Sequence, residues 1–152
     1  MSQFIIDTDV LIVFYCRLER PDVLHAVCDE GVVVSETVRR EMEGVGRGIG
    51  RDIFRDDVCA GAVRVIEAGP AEANEAAGFN TTFLHRGERD TAAIALTHLY
   101  TMITNDRMAR HELIGSGITV RDAAWVLQQA KSRRLLTQAQ HKKLSQSLGR
   151  RW

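Results

Sequence analysis

Five short apolar runs, each followed by a segment with helical character, constrain the fold of this chain more than any other feature. The runs lie at residues 4–7, 32–35, 63–66, 102–104 and 118–120. Short buried strands that alternate with helices favour a parallel sheet with helices on both faces. In such a sheet, ligands bind beyond the carboxyl ends of the strands, and we expect the functional residues there.

The segments between these runs predict helices, and the whole chain reads as one domain. The helices are expected at residues 10–18, 22–28, 36–43, 51–59, 71–79, 88–100, 107–114, 123–131 and 138–148. A length of 152 residues suits a single domain over 1–152. Three cysteines without a CxxC pair exclude a disulfide framework and a cysteine-zinc site. The apolar runs are too short to span a membrane, so the expected location is the cytoplasm.

The charge of the chain is unevenly distributed. The net charge is zero, but residues 123–152 contain no acid and seven Lys or Arg side chains. This basic C-terminal helical extension is either a solvated cap, with cations at helix ends, or a surface that follows a phosphate backbone. Candidate nucleic-acid contacts are Lys131, Arg133 and Arg134 in the extension, and Arg47 and Arg51 in and beside a glycine-rich stretch at residues 44–50.

Several carboxylates lie where the predicted strands end or on inward helix faces. Asp7 ends the first run and Asp106 follows the fourth, while Glu41 shares an apolar helical face with Val38 and Met42. Each acid alone could be a helix cap or an ion-pair partner. Together they suit a hard divalent cation, Mg²⁺ or Mn²⁺, which prefers oxygen ligands and acts on phosphate-bearing substrates.

Four stretches in this order resemble the PIN-domain ribonuclease family, which includes toxin nucleases of VapC type. They are IIDTDVLI, VSETVRREME, GERDTAAIALTHLY and MITNDRMAR, and the resemblance covers roughly residues 3–122. It implies that the catalytic and metal-binding acids are Asp7, Glu41, Asp90 and Asp106. Second choices as ligands are Glu88, near Asp90, and Asp9, where the family more often has Ser or Asn. The residues expected to position ligands or water are Thr8, Thr104 and Asn105.

The same resemblance implies a three-layer α/β/α sandwich with a central, mainly parallel sheet of about five short strands. It also implies a Mg²⁺- or Mn²⁺-dependent endoribonuclease acting on RNA and, as in toxin members, a small antitoxin partner and a homodimer. One alternative is a catalytically inactive PIN-like module that binds nucleic acid or protein. Another is a phosphatase, since Asp7-Thr8-Asp9 also matches a DxD pattern. That mechanism needs a nearby Lys, and the first Lys of the chain is Lys131.

Overall fold

A single parallel sheet organises the part of the chain that the computed structural model describes, residues 3–45, 48–76, 84 and 86–149. Its strands are β1 (Phe4–Ile6), β2 (Val32–Ser35), β3 (Val63–Ile66), β4 (Thr101–Ile103) and β5 (Val120–Arg121). They lie in the order β3-β2-β1-β4-β5, and every neighbouring pair is parallel. The first four strands begin within one residue of their predicted positions, and β5 begins two residues later than expected.

Helices connect the strands and cover both faces of the sheet. They are α1 (Thr8–Ile12), which continues as a π-helix over Val13–Arg17, α2 (Pro21–Val27), α3 (Glu36–Val45), α4 (Ile49–Cys59), α5 (Pro70–Ala76), α6 (Arg86–His98), α7 (Arg107–Leu113), α8 (Ala123–Ser132) and α9 (Gln138–Leu148). Adjacent side chains of a strand point to opposite faces. Phe4 and Ile6 therefore pack into one core cluster and Ile5 into another. The predicted three-layer α/β/α sandwich is confirmed.

Two predicted segments need comment: the glycine-rich stretch at residues 44–50 and the predicted fifth helix at residues 71–79. A helix was predicted over residues 51–59, but α4 already begins at Ile49 and includes Gly50 of the glycine-rich stretch. A Cβ atom at Gly50 would lie 2.5 Å from the carbonyl oxygen of Tyr15, so glycine is required for this close helix contact. Residues 46–47 of that stretch and 77–79 of the predicted fifth helix lie outside the described residues.

The two helices of the basic extension differ in burial. Four side chains of α8 are fully buried in the core, namely Ala123, Val126, Leu127 and Ala130. Helix α9 has no buried residue and packs on α8 from outside. Helix α8 is therefore part of the domain core, and only α9 has the solvated character expected of a cap.

The strands end together at one edge of the sheet, called the carboxyl edge below. Asp7 follows β1 there, and its backbone N–H donates to the carbonyl oxygen of Ile103 at 2.9 Å. Ser35 ends β2 and Thr104 follows β4. Polar side chains therefore begin where the hydrogen-bonded pairing of the strands ends. Among the described helices, none combines the length and apolar character needed to cross a membrane.

Candidate active site

Asp7 directly follows β1 at the carboxyl edge and is buried, at 3% exposure. It caps α1, and its Oδ1 accepts a hydrogen bond from the backbone N–H of Thr8 at 2.9 Å. Its Oδ2 accepts from the hydroxyl of Thr104 at 3.0 Å. Burial, followed by repulsion from Asp9 and Glu41, raises the pKa of Asp7 to about 7 despite these hydrogen bonds.

Glu41 on α3 is held toward Asp7 by Thr8, the residue that follows Asp7. The hydroxyl of Thr8 donates to Oε2 of Glu41 at 2.8 Å. On its other side the Glu41 carboxylate lies against Gly87 in the first turn of α6, so closely that a Cβ atom there would clash with Oε1. The first turn of a helix carries positive partial charge from N–H groups that have no helical acceptor. Glycine at 87 therefore lets this carboxylate approach a favourable helix end.

Thr104 joins Asp7 to the fourth acid, Asp106. While its hydroxyl donates to Asp7, the same oxygen accepts from the backbone N–H of Asp106 at 3.2 Å. Asp106 caps α7, because its Oδ1 accepts from the N–H groups of Met108 at 2.9 Å and Ala109 at 3.1 Å. The cap fixes one side of a half-exposed carboxylate.

Asn105 connects these acids to α8. Its side chain does not point into the carboxylate cluster, by which we mean Asp7, Asp9, Glu41 and Asp106. Its backbone N–H donates to Oδ2 of Asp9 at 3.0 Å. Its side-chain oxygen accepts from the backbone N–H of Ala123, the first residue of α8, at 2.9 Å. Asn105 thus positions Asp9 through its backbone, whereas its side chain anchors a helix.

The two candidates for the third acid lie in different surroundings. Asp90 accepts a hydrogen bond from the hydroxyl of Thr37 on α3 at 2.7 Å and lines a separate small cavity with Arg40 and Arg86. Glu88 is 2% exposed and adjoins Gly87, which contacts Glu41. Glu88 is therefore more deeply buried than Asp90, which lies two residues further along α6.

A comparison with protein-family models identifies the chain. The model of the DUF3368 family, described as a PIN domain, matches residues 3–150. The chain belongs to this PIN-domain family. None of the curated proteins searched matches it significantly.

Solved structures share the fold of this PIN domain at low sequence identity. DNA-bound VapBC from Salmonella typhimurium has a TM-score of 0.61 at 15% identity, covering 81% of this chain and 99% of that one. VapBC2 from Rickettsia felis, bound to a promoter DNA fragment, has a TM-score of 0.59 at 12% identity and covers 80% and 98%. FitAcB from Neisseria gonorrhoeae has a TM-score of 0.51 at 17% identity, with the same two coverages.

The acids of this PIN domain fit a divalent cation by their chemistry. Within the described ranges, no three His, Cys, Asp or Glu side chains converge as ready metal ligands. The acids are instead linked through hydroxyl and amide groups, and Mg²⁺ typically binds one or two carboxylates and keeps several waters. The charged groups that shift the pKa of Asp7 are both carboxylates. A bound cation would offset this repulsion.

Of the arginines and lysine predicted to contact nucleic acid, those at the end of α8 lie near the start of β1, the end of this strand opposite Asp7. Arg133 donates to the carbonyl oxygen of Val27 at 2.9 Å and lines a cavity with Phe4 and Glu30, near the start of β1. Lys131 and Arg134 flank this position at the end of α8. Arg51 is half-exposed on α4; Arg47 lies outside the described residues. The structure thus links Asp7 to Glu41 through Thr8 and to Asp106 through Thr104, and it places Arg133 near the other end of β1.

Proposed function

We propose that the protein is a cytoplasmic Mg²⁺- or Mn²⁺-dependent endoribonuclease, and that its active site is the carboxylate cluster at the carboxyl edge. The observation that carries this proposal is the burial of Asp7 beside Asp9 and Glu41, with Asp106 joined to it through Thr104. Such a concentration of like charge is costly without a cation. Membership of the PIN-domain family supports a nuclease.

The residues that would hold the cation are Asp7, Glu41 and Asp106, with Glu88 as the third acid in chain order. Glu88 is preferred to Asp90 because it is buried, while Asp90 is half-exposed and is engaged by Thr37. When bound, a divalent cation neutralises charge on the phosphate oxygens and makes water a better nucleophile at neutral pH.

The remaining groups of the site orient the acids. Thr104 fixes the relative position of Asp7 and Asp106, and Thr8 fixes Glu41. Asp7 is buried, whereas Glu41 and Asp106 are half-exposed. A phosphodiester would therefore approach from the side of Glu41 and Asp106, with Asp7 beneath them.

Cleavage of RNA by substituted proteins tests the active site. Asp7→Asn and Asp106→Asn should abolish Mn²⁺-dependent cleavage, while both proteins stay folded because Asn also caps helices. Asp29→Asn, at an exposed aspartate outside the cluster, is the matched control and should cleave at the parent rate. Calorimetry should show Mn²⁺ binding to the parent and the control but not to Asp7→Asn. Cleavage that survives EDTA would contradict the metal requirement.

A second pair of substitutions tests whether Glu88 or Asp90 is the third acid of the site. Glu88→Gln should lower cleavage at least about tenfold, as expected for loss of a ligand or its support. Asp90→Asn should cleave close to the parent rate, since its carboxylate is engaged by the hydroxyl of Thr37. The reverse result would assign the role to Asp90.

We further propose that the protein is the toxin of a toxin–antitoxin pair, with RNA as substrate, a small antitoxin protein as partner and a homodimeric assembly. Support comes from the solved neighbours of Salmonella typhimurium and Rickettsia felis, which are VapBC assemblies. Co-purification with the product of a small adjacent reading frame, followed by loss of cleavage in that complex, is the expected result. Light scattering of the isolated chain should give the mass of a dimer.

A further inference from the structure

A groove between α7 and β5 begins beside the candidate active site and is unused by the proposed chemistry. It has a volume of about 400 Å³. Its polar lining is formed by Arg107, Arg110 and His111, and its apolar lining, called the floor below, by Leu113, Ile114, Ile118 and Val120. Strand β5 is the outermost strand on its side of the described sheet, so the groove lies beside that strand.

The groove is continuous with the carboxylate cluster through α7. Arg107 directly follows Asp106, the cap of this helix. Arg107, Arg110, His111 and Ile114 recur at intervals of three and four residues and therefore share one helical face. At a rise of 1.5 Å per residue, this face extends about 10 Å away from Asp106. A strand bound at the cluster could continue directly into the groove.

The charge of the groove favours an anion. Its described lining contains two arginines and a histidine and no carboxylate. Arg110 is engaged with Asp122 at 2.9 Å. Arg107 is exposed and has no ion pair within the described part of the chain, so its guanidinium is available to a phosphate. The cation nearest in sequence to Asp106 is thus also the one available to a ligand.

The floor favours an apolar ring beside that anion. Ile114 is 77% exposed although it lies next to the half-buried Ile118. A volume of about 400 Å³ lies within the range of small-ligand sites. The lining has no aromatic side chain, so a nucleobase would rest on branched aliphatic groups and would not stack on an aromatic ring.

We propose that the α7–β5 groove binds one nucleotide of the RNA strand next to the cleaved phosphate, with a phosphate on Arg107 and the base against Ile114 and Ile118. This inference rests on the proposed ribonuclease function and adds a substrate subsite to it. Because the floor offers apolar contact and few base-edge hydrogen bonds, the subsite should tolerate different bases.

Binding of RNA without cleavage tests the phosphate contact. Fluorescence anisotropy would be measured with a labelled, mixed-sequence single-stranded RNA in EDTA, using Asp7→Asn as the parent background. Adding Arg107→Gln should weaken binding about three- to tenfold and reduce the slope of log affinity against log salt by about 0.7. Arg55→Gln removes an exposed arginine of α4, outside the groove, and should leave both quantities unchanged.

A second substitution in the same background tests the base contact. Ile114→Ser should weaken binding of the ordinary RNA about threefold, and it should leave the fold intact because the side chain is mostly exposed. The same substitution should not change binding of an oligomer of abasic ribose phosphates. Equal losses with both oligomers would overturn the assignment of the floor to a base.

The outcomes separate this subsite from the proposed function. If the background protein binds RNA and Arg107→Gln binds it as tightly as Arg55→Gln does, the subsite is wrong and the groove is open to another occupant, such as a protein partner. If the background protein binds no RNA and the unsubstituted protein cleaves none, the ribonuclease function itself fails, and the subsite fails with it.

Discussion

Two clusters of polar side chains lie along the same helical segment, and they are built in opposite ways. At its start, Asp7 is buried near two other carboxylates. Eight residues later, in the π-helix, the buried hydroxyl of Tyr15 donates to Asp57 at 2.5 Å and lies 2.7 Å from Nε2 of His25. The second cluster, Tyr15–His25–Asp57, joins the π-helix, α2 and α4.

These two clusters show two consequences of burying polar groups: one stabilises the fold, and the other costs stability. In the Tyr15–His25–Asp57 cluster a donor meets an acceptor on each side, and burial with the Asp57 carboxylate raises the pKa of Tyr15, which keeps the phenol neutral. Such a satisfied network stabilises and orders a core. The carboxylate cluster instead concentrates like charges, which costs stability in the metal-free protein. That cost is the reason why we propose it as the functional cluster.

The largest expected effect is a pH dependence of stability caused by Asp7. Its pKa is raised from 3.8 to about 7 in the folded protein, so the folded state holds this proton more tightly than the unfolded state does. The resulting stabilisation is complete below pH 3.8 and is lost as pH rises through about 7. We expect Asp7 to lower the free energy of unfolding by on the order of 4 kcal/mol over this window. Urea titrations in EDTA measure it.

The control for this effect is Asp7→Asn, which removes the titrating group and keeps the helix cap. Its free energy of unfolding should fall less between pH 4 and pH 8 than that of the parent, and at pH 8 the variant should be the more stable protein. Parallel curves for the two proteins would show that the buried charge costs nothing.

The next effect in size is stabilisation by Mn²⁺ at pH 8, where Asp7 is ionised. At a free concentration about 100 times the dissociation constant, Mn²⁺ should raise the free energy of unfolding by about 2.7 kcal/mol. Glu41→Gln should lose most of this increment. Asp57→Asn alters the other cluster and should keep it, although its stability without metal is lower. An equal increment in both variants would place the cation outside the carboxylate cluster.

The fold and part of the site were predictable because they depend on local pattern. Alternation of β-branched runs with helical segments specifies the parallel sheet, and parallel strands bring their carboxyl ends together. That geometry alone gathers Asp7 and the residues after β4, Thr104 and Asp106. The acids at these positions were predicted for this reason, and the structure links them by hydrogen bonds.

The remaining features depend on packing between distant segments. Glu88 and Asp90 are two residues apart, and the packing of α6 on its neighbours decides that Glu88 is buried and Asp90 half-exposed. The direction in which the end of α8 faces is decided by packing of that helix on the sheet, which places Arg133 on Val27. Tyr15, His25 and Asp57 come from three helices, and no spacing along the chain predicts their meeting.

The smallest expected effect concerns the Tyr15–His25–Asp57 cluster and tests whether it is only structural. Tyr15→Phe removes the hydroxyl that contacts both partners while keeping the ring against Phe54, so we expect a loss of about 1–2 kcal/mol in unfolding free energy. Tyr100→Phe, which removes a hydroxyl that accepts from Arg64 at the surface, should cost less than about 0.5 kcal/mol. RNA cleavage by the folded Tyr15→Phe protein should equal that of the parent. If cleavage falls while unfolding is unchanged, the two clusters along this helical segment are coupled, and the division between a stabilising cluster and a functional one is wrong.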